Sequence, residues 1–195
     1  MKTPPTTANA LIAQSRIDSP LGPITLAATA RGLALAWFDG QQHRSDTVDA
    51  PLQARHPLLV QAADELRAYW SDARQPFTVP LDPQGTAFQQ AVWRVLRGIA
   101  PGALLSYSDV ARRIGKPAAV RAVGAAIGRN PLSIIVPCHR VVGRSGALTG
   151  YAGGLPRKQA LLQHEGAQAG LSLSVSLAPP GIAEIAEATS TRVAA

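Results

Sequence analysis

Cys138 is the only cysteine in the chain, and His139 and Arg140 follow it directly. A lone thiol beside an imidazole is a candidate nucleophile. Free cysteine titrates near a pKa of about 8.5, so little thiolate is present at neutral pH unless a base or cationic surroundings favour it. Neighbours on an extended segment point opposite ways, so His139 would reach Cys138 either directly or through a bridging water. An imidazole base also needs a partner, usually a carboxylate, to fix its tautomer. Between residues 83 and 168 the only acids are Asp109 and Glu165. Glu165, at the end of a predicted short helix, is the preferred partner. The alternative for Cys138 is a buried, inert thiol. Zinc needs several Cys or His at set spacings. His43, His56, His139 and His164 show no such spacing, so no metal is expected. His164 reads as an exposed helix residue, and Tyr107 as either core or catalytic.

The surroundings of the thiol are basic. Residues 1–82 carry a net charge of −1, residues 83–168 carry +9, and residues 169–195 carry −1. A near-neutral first half joined to a cationic second half suits a polyphosphate partner; simple solubility is the competing explanation. One cysteine excludes an intramolecular disulfide, so no oxidising compartment is called for. The start, Met1-Lys2-Thr3-Pro4-Pro5, lacks an apolar signal core, and no apolar run approaches the roughly 20 residues of a membrane helix. A soluble, cytoplasmic protein is expected.

The elements that must position these residues follow from periodicity. Residues 1–13 and 167–195 are expected to be flexible tails. Ile24, Leu26 and Ala28, then Leu33, Leu35 and Trp37, alternate with their neighbours around turns at 18–22 and 30–32, which predicts an antiparallel meander. Residues 56–71 switch to helical period through Leu58, Leu59, Ala62, Leu66, Tyr69 and Trp70. The stretch 80–85 reads as a linker, dividing an α/β domain at 14–82 from a helical domain at 85–166. Thr86 is expected to cap a helix with Phe88, Val92, Val95, Leu96 and Ile99 on one face. Ser108 is expected to cap a short helix over 109–114, with Asp109 in its first turn. Gly115 ends it, and Pro117 suits the first turn of the next helix, which runs to about Gly128. Helix, glycine turn, helix is a helix-turn-helix pattern.

Residues 118–128 contain almost no bulk beyond Arg121. A slim helix can either approach the narrow minor groove of DNA or pack tightly in a core. Leu132 to Val136 reads as a buried strand delivering Cys138. Residues 143–154 read as a glycine-rich loop, and Leu155 to His164 as a short helix closed by Gly166.

Pro137-Cys138-His139-Arg140-Val141 resembles the signature of the O6-alkylguanine-DNA alkyltransferases (methylated-DNA–protein-cysteine methyltransferases). The likeness runs through Phe88–Trp93, Ser106-Tyr107, Arg121–Ala126, Gly128–Pro131, Gly150–Leu155 and Lys158–Gly166, with Ile17–Gly22 and Gly32-Leu33 in the first half. It spans roughly residues 14–166. The resemblance implies a small antiparallel sheet plus helix, ribonuclease H-like, followed by an all-α helix-turn-helix domain carrying the cysteine. It implies a DNA-repair activity: one-turnover transfer of the alkyl group from O6-alkylguanine, less so O4-alkylthymine, in double-stranded DNA onto Cys138. His139 would act as base through a water, Glu165 would orient His139, and Tyr107 would donate a proton and crowd the phosphate. Arg121 would replace the flipped base in the stack. Asn130 would brace the active turn, Tyr151 would line the pocket, and Gly124, Ala119 and Ser108 would face the DNA. Lys116 and Arg144 are plausible phosphate contacts.

No cofactor is implied, and the partner is DNA alone, bound by a monomer. Some relatives bind zinc in the first domain through cysteines that this chain lacks, so none is expected here. Ala152 stands where a serine is common, and Arg144 where some relatives carry serine. The cysteine-rich regulatory domain of some relatives is absent, so a stand-alone repair protein is expected. Two rivals remain: a lesion-binding protein without catalysis, and a hydrolase using Cys138, His139 and Glu165.

Overall fold

A short turn after Asp18 and another around Ala30 fold the first residues into a meander. In the computed structural model, residues 10–43 and 47–167 are described. Most of both expected tails, 1–9 and 168–195, lies outside the described residues. Strands β1 (Ala13–Ile17), β2 (Ile24–Ala28) and β3 (Leu33–Phe38) pair antiparallel in sequence order. Ile24 lies opposite Ile17 on one side and Phe38 on the other, so alternate apolar residues share the covered face. Helix α1 (Pro57–Ser71) packs on that face. Pro57 sits at its first turn, where a missing N–H costs nothing. Leu59, Ala62, Ala63, Leu66 and Tyr69 form its buried stripe. Full burial of Leu59 and Leu66 contributes about 1.5–3 kcal/mol each.

The second half begins at α2 (Ala87–Arg97), whose Thr86 and Gln89 form a reciprocal capping box. Before it, a Cβ at Gly85 would come within 2.6 Å of the Trp93 ring, so the linker needs glycine there. The Trp93 indole N–H donates to the Ala126 carbonyl at 2.9 Å, pinning α2 to α4 (Val120–Gly128). Between them lie β4 (Leu105–Ser106) and α3 (Tyr107–Arg113); after them come β5 (Val141–Val142) and α5 (Leu155–His164). The parallel β4–β5 pair is a small addition to an otherwise helical half.

Three local expectations are corrected. The cap of α3 is Ser106, not Ser108: the Ser106 hydroxyl accepts from Asp109 N–H at 3.1 Å, and Asp109 reaches back to Ser106 N–H at 2.9 Å. Helix α4 begins at Val120, and Pro117 lies in the preceding turn. Residues 132–136 are not a strand. They form a turn with Ile134 in the left-handed region at φ +70°, and only Leu132 makes a sheet-like bridge.

That bridge joins the halves. Ala36 N–H donates to Pro131 O at 2.9 Å and Ser133 N–H to Ala36 O at 2.6 Å, so the turn lies parallel along the free edge of β3. Farther along β3, Leu33 pairs with Leu81 in the same way. One apolar core runs from Ala13 to Leu161 through both halves.

Candidate active site

Asn130 organises the turn that carries the thiol. Its carboxamide oxygen accepts from Leu132 N–H at 3.0 Å. Its NH2 group faces Val136 O at 2.7 Å, Cys138 Sγ at 3.1 Å and Leu132 O at 3.3 Å. One buried side chain thus closes the loop on itself and touches the sulfur. The Ser133 hydroxyl donates to Gln41 Oε1 at 2.8 Å, tying the turn to the loop after β3. Cys138 opens a single 3₁₀ turn, Cys138–Arg140, rather than ending an extended segment. Cys138 and His139 therefore do not point opposite ways along a strand.

Cys138 is only 6% exposed, yet it borders a cavity of about 340 Å³. That volume falls in the range of small-molecule sites, about 300–1,000 Å³. Tyr107, Gly124, Ile127, Tyr151 and Ala152 share its walls with the sulfur. Gly124 faces the Tyr107 ring, which a Cβ there would meet at 3.8 Å, ordinary contact. The Tyr107 hydroxyl donates to Thr149 O at 3.2 Å. Tyr151 is buried, and burial, with the charge of Cys138, pushes its phenol well above the usual range. At Gly153 a Cβ would lie 2.7 Å from the Tyr151 ring, so the loop must stay glycine to seat that ring.

Behind the sulfur lies a buried ionic cluster. His139 Nε2 and Glu165 Oε1 are 2.8 Å apart, with both side chains fully buried. Arg140 Nε donates to Glu165 Oε2 and Arg140 Nη2 to Oε1, each at 2.8 Å, a two-point fork. Arg140 Nη1 donates to Ile99 O. Tyr69, from α1, donates its hydroxyl to Glu165 Oε1 at 2.9 Å. Burial would raise the Glu165 carboxyl, but hydrogen bonds from His139 and Arg140 outweigh it and hold the group at about 2. Burial pulls His139 below the usual imidazole value, against the upward pull of Glu165. Burial favours the neutral ring; in that form Nε2 donates to the Glu165 carboxylate and Nδ1 carries the lone pair, and that nitrogen is buried without a hydrogen bond.

Sequence reasoning missed three participants. Lys158 is 0% exposed, and its ammonium donates to Val141 O at 2.6 Å and Thr149 O at 2.8 Å. Burial lowers it to about 8, opposed by the charge of Cys138. The available signal was a lysine at the helical spacing of Leu155 and Leu162 on an apolar stripe. In the sequence Arg140 is only part of the cationic surroundings, and folding makes it the partner of Glu165. Tyr69 lies on the apolar face of its helix, and only folding brings its hydroxyl to Glu165. His164 was expected to be exposed; instead it is half-buried against the Tyr69 and Trp70 rings, and its Nε2 donates to Tyr69 O at 2.8 Å.

The remaining candidates lie on the surface around the cavity. Arg121 is exposed on α4, one turn before Gly124 and on the same side of the helix. Ala119 is the N-cap position of α4. Ser108 and Arg144 flank a shallow groove with Arg112 and Val120. Lys116 is exposed in the turn between α3 and α4. Neither Arg121 nor Lys116 lines the cavity. Among the described residues no cluster of three His, Cys, Asp or Glu could hold a metal.

Comparison with known proteins places this arrangement. Residues 12–83 match the family model described as 6-O-methylguanine DNA methyltransferase, ribonuclease-like domain, and residues 87–167 match its DNA binding domain. The chain is 46% identical over 160 residues to a methylated-DNA–protein-cysteine methyltransferase of Mycobacterium bovis, covering 82% of this chain and 95% of the relative. One from Methanosarcina acetivorans is 43% identical over 149 residues, covering 76% and 95%. Among solved structures, Mycobacterium tuberculosis OGT in complex with DNA is similar at a TM-score of 0.73 and 44% identity, covering 80% of this chain and 93% of that one.

Proposed function

The chain belongs to the 6-O-methylguanine DNA methyltransferase family, and from that premise we propose that it repairs DNA directly, moving the alkyl group of O6-alkylguanine onto Cys138 in one irreversible step. One observation carries this reading: Cys138 borders a small cavity, with a carboxylate-held imidazole buried on the next residue.

Each residue then has a task. The sulfur attacks the alkyl carbon in line, so the C–S bond forms as the C–O6 bond breaks. His139, held by Glu165, takes the thiol proton through a water. Tyr107 exchanges its bond to Thr149 O for the base and gives a proton to the departing guanine, which is a poor leaving group as an anion. The proton taken up by His139 returns through solvent to Tyr107, so overall the proton lost by the thiol is the one guanine gains. Tyr151 and Gly124 shape the cavity walls, and Asn130 fixes the sulfur.

An alkyl group inside a duplex cannot be reached in line, so the nucleotide must leave the stack, at a cost of a few kcal/mol. Arg121, projecting from slim α4 beside the cavity, fills the gap in the stack. Ala119 and Ser108 lie on the same DNA-facing side, and Lys116 and Arg144 contact phosphates. The two functional units are 14–82 and 85–166, the second bearing the chemistry. O4-alkylthymine is a lesser substrate. No second cysteine exists to release the product, and a thioether is not reducible, so each chain acts once without a cofactor. The protein works as an intracellular, DNA-associated monomer. No helix among the described residues is long and apolar enough to cross a membrane.

The test is to mix the protein with an O6-methylguanine duplex and record its intact mass and peptide map. A single methyl on Cys138, with a plateau at one equivalent, is expected. Binding without mass gain would mean lesion recognition alone, and continued turnover would mean hydrolysis. In parallel, Arg121→Ala should slow repair of duplex about tenfold, roughly 1.4 kcal/mol of barrier, with little effect on the free alkylated base. Equal loss on both substrates would make Arg121 structural.

A further inference from the structure

Glu165 Oε1 is shared by three donors from different parts of the chain. His139 Nε2 and Arg140 Nη2 each lie 2.8 Å away, and the Tyr69 hydroxyl lies 2.9 Å away. Tyr69 belongs to α1, 96 residues distant in sequence and outside the cysteine-bearing half. Its position is not incidental to packing. The ring is fully buried, with Trp70 and His164 edge-on at 5.2 and 5.1 Å and Phe77 tilted at 5.9 Å. Its carbonyl accepts from His164 Nε2. The phenol oxygen is thus held from several sides against the carboxylate that orients the catalytic base.

A donor on a carboxylate oxygen draws off negative charge and weakens the hold of that oxygen on its other partners. The pull of Glu165 is what favours a proton on His139. We propose that Tyr69 is a positioning residue for alkyl transfer: by sharing Glu165 Oε1 it limits that pull and keeps His139 unprotonated and able to accept the Cys138 proton. This rests on the reading that Cys138 takes the alkyl group. The charged and titratable groups around the pair come from several elements. His139 is faced by Glu165 and Lys158 from α5 and its end, and by Arg140 and Cys138 on its own turn. Glu165 is faced by His139, Arg140, Tyr69 and Tyr151. Tyr69 is faced in addition by Tyr151 and His164. Burial, Arg140 and Lys158 oppose a proton on His139, whereas Glu165 favours it, and Tyr69 acts on that influence.

The experiment follows single-turnover methyl transfer from an O6-methylguanine duplex by intact mass, across the acid and neutral range, using the full chain. Two variants are compared with the parent: Tyr69→Phe, and a chain with 3-fluorotyrosine at position 69. The phenylalanine removes the donor, so the acid limb of the rate profile should move up by roughly half a pH unit. Fluorotyrosine has a more acidic phenol and donates more strongly, so its limb should move the opposite way. If Tyr69→Phe does not fold, the fluorinated chain decides alone, because exchanging a ring hydrogen for fluorine keeps the packing. Acid limbs that coincide with the parent, or that move in the same direction in both variants, overturn the proposal, even if rates fall. Failure of the parent to gain one methyl at any pH overturns the underlying alkyl-transfer reading instead, so the two failures are told apart.

Discussion

Asn130 divides one amide among a backbone N–H, two carbonyls and the reactive sulfur. Replacing it with alanine leaves the Leu132 N–H and the Val136 carbonyl without this partner, away from water. Asn130→Ala should cost about 2–4 kcal/mol, measured by urea unfolding, and should slow alkylation by more than the lost stability explains. Wild-type-like unfolding would show that the turn is held by β3 alone. Residue types were the most legible layer of the sequence. Cys138, Tyr107, Gly124 and Tyr151, all candidates on sequence alone, share one cavity. Lys158, Arg140 and Tyr69 were missed for a common physical reason. Each is a polar group whose value arises from a partner brought near only by folding, and no spacing along the chain encodes that partner.

The short elements place the cavity. Helix α3 turns on Ser106, whose hydroxyl and N–H both engage Asp109; these bonds, with help from Arg112, hold that carboxyl at about 2. Ser106→Ala should therefore lower thermal stability by about 1 kcal/mol, whereas Ser108→Ala should leave it unchanged. A reversed order would restore Ser108 as the cap. Two serines flanking one tyrosine made the boundary ambiguous in sequence. The capping-box spacing from Ser106 to Asp109 was present and decides it. Regular elements were otherwise readable, because alternation and helical period survive tertiary contacts: α5 occupies Leu155–His164 as expected. The segment 132–136 was not readable. Its apolar run has strand composition, but Asn130 and the left-handed Ile134 bend it into a turn, a consequence of side-chain hydrogen bonding that hydrophobicity does not register.

Across the whole molecule the buried His139, Glu165 and Lys158 tilt stability toward higher pH. His139 titrates below its unfolded value near 6.5, so the unfolded chain takes up a proton first as pH falls, and stability drops below that point. Glu165, held at about 2 against 4.5 when unfolded, adds stability that is complete above 4.5 and is lost as pH falls toward 2. Lys158, lowered to about 8 from 10.5, adds stability as pH rises between those values. Thermal melts should therefore rise with pH up to about 6.5, stay level to about 8 and rise again above it, and Glu165→Gln should flatten the part below about 4.5. A maximum near pH 6 would contradict the burial of this cluster in solution.

The outer edge of β3 is not bare in the folded chain. It is completed by Leu81 near one end and by Leu132, beside the thiol, nearer the other. A protein engineer who cut the chain at the connector and transplanted only the cationic half onto another scaffold would leave that edge bare and the active turn without its rail. Portability of the chemistry requires carrying the meander along, as a backing plate rather than as an optional accessory.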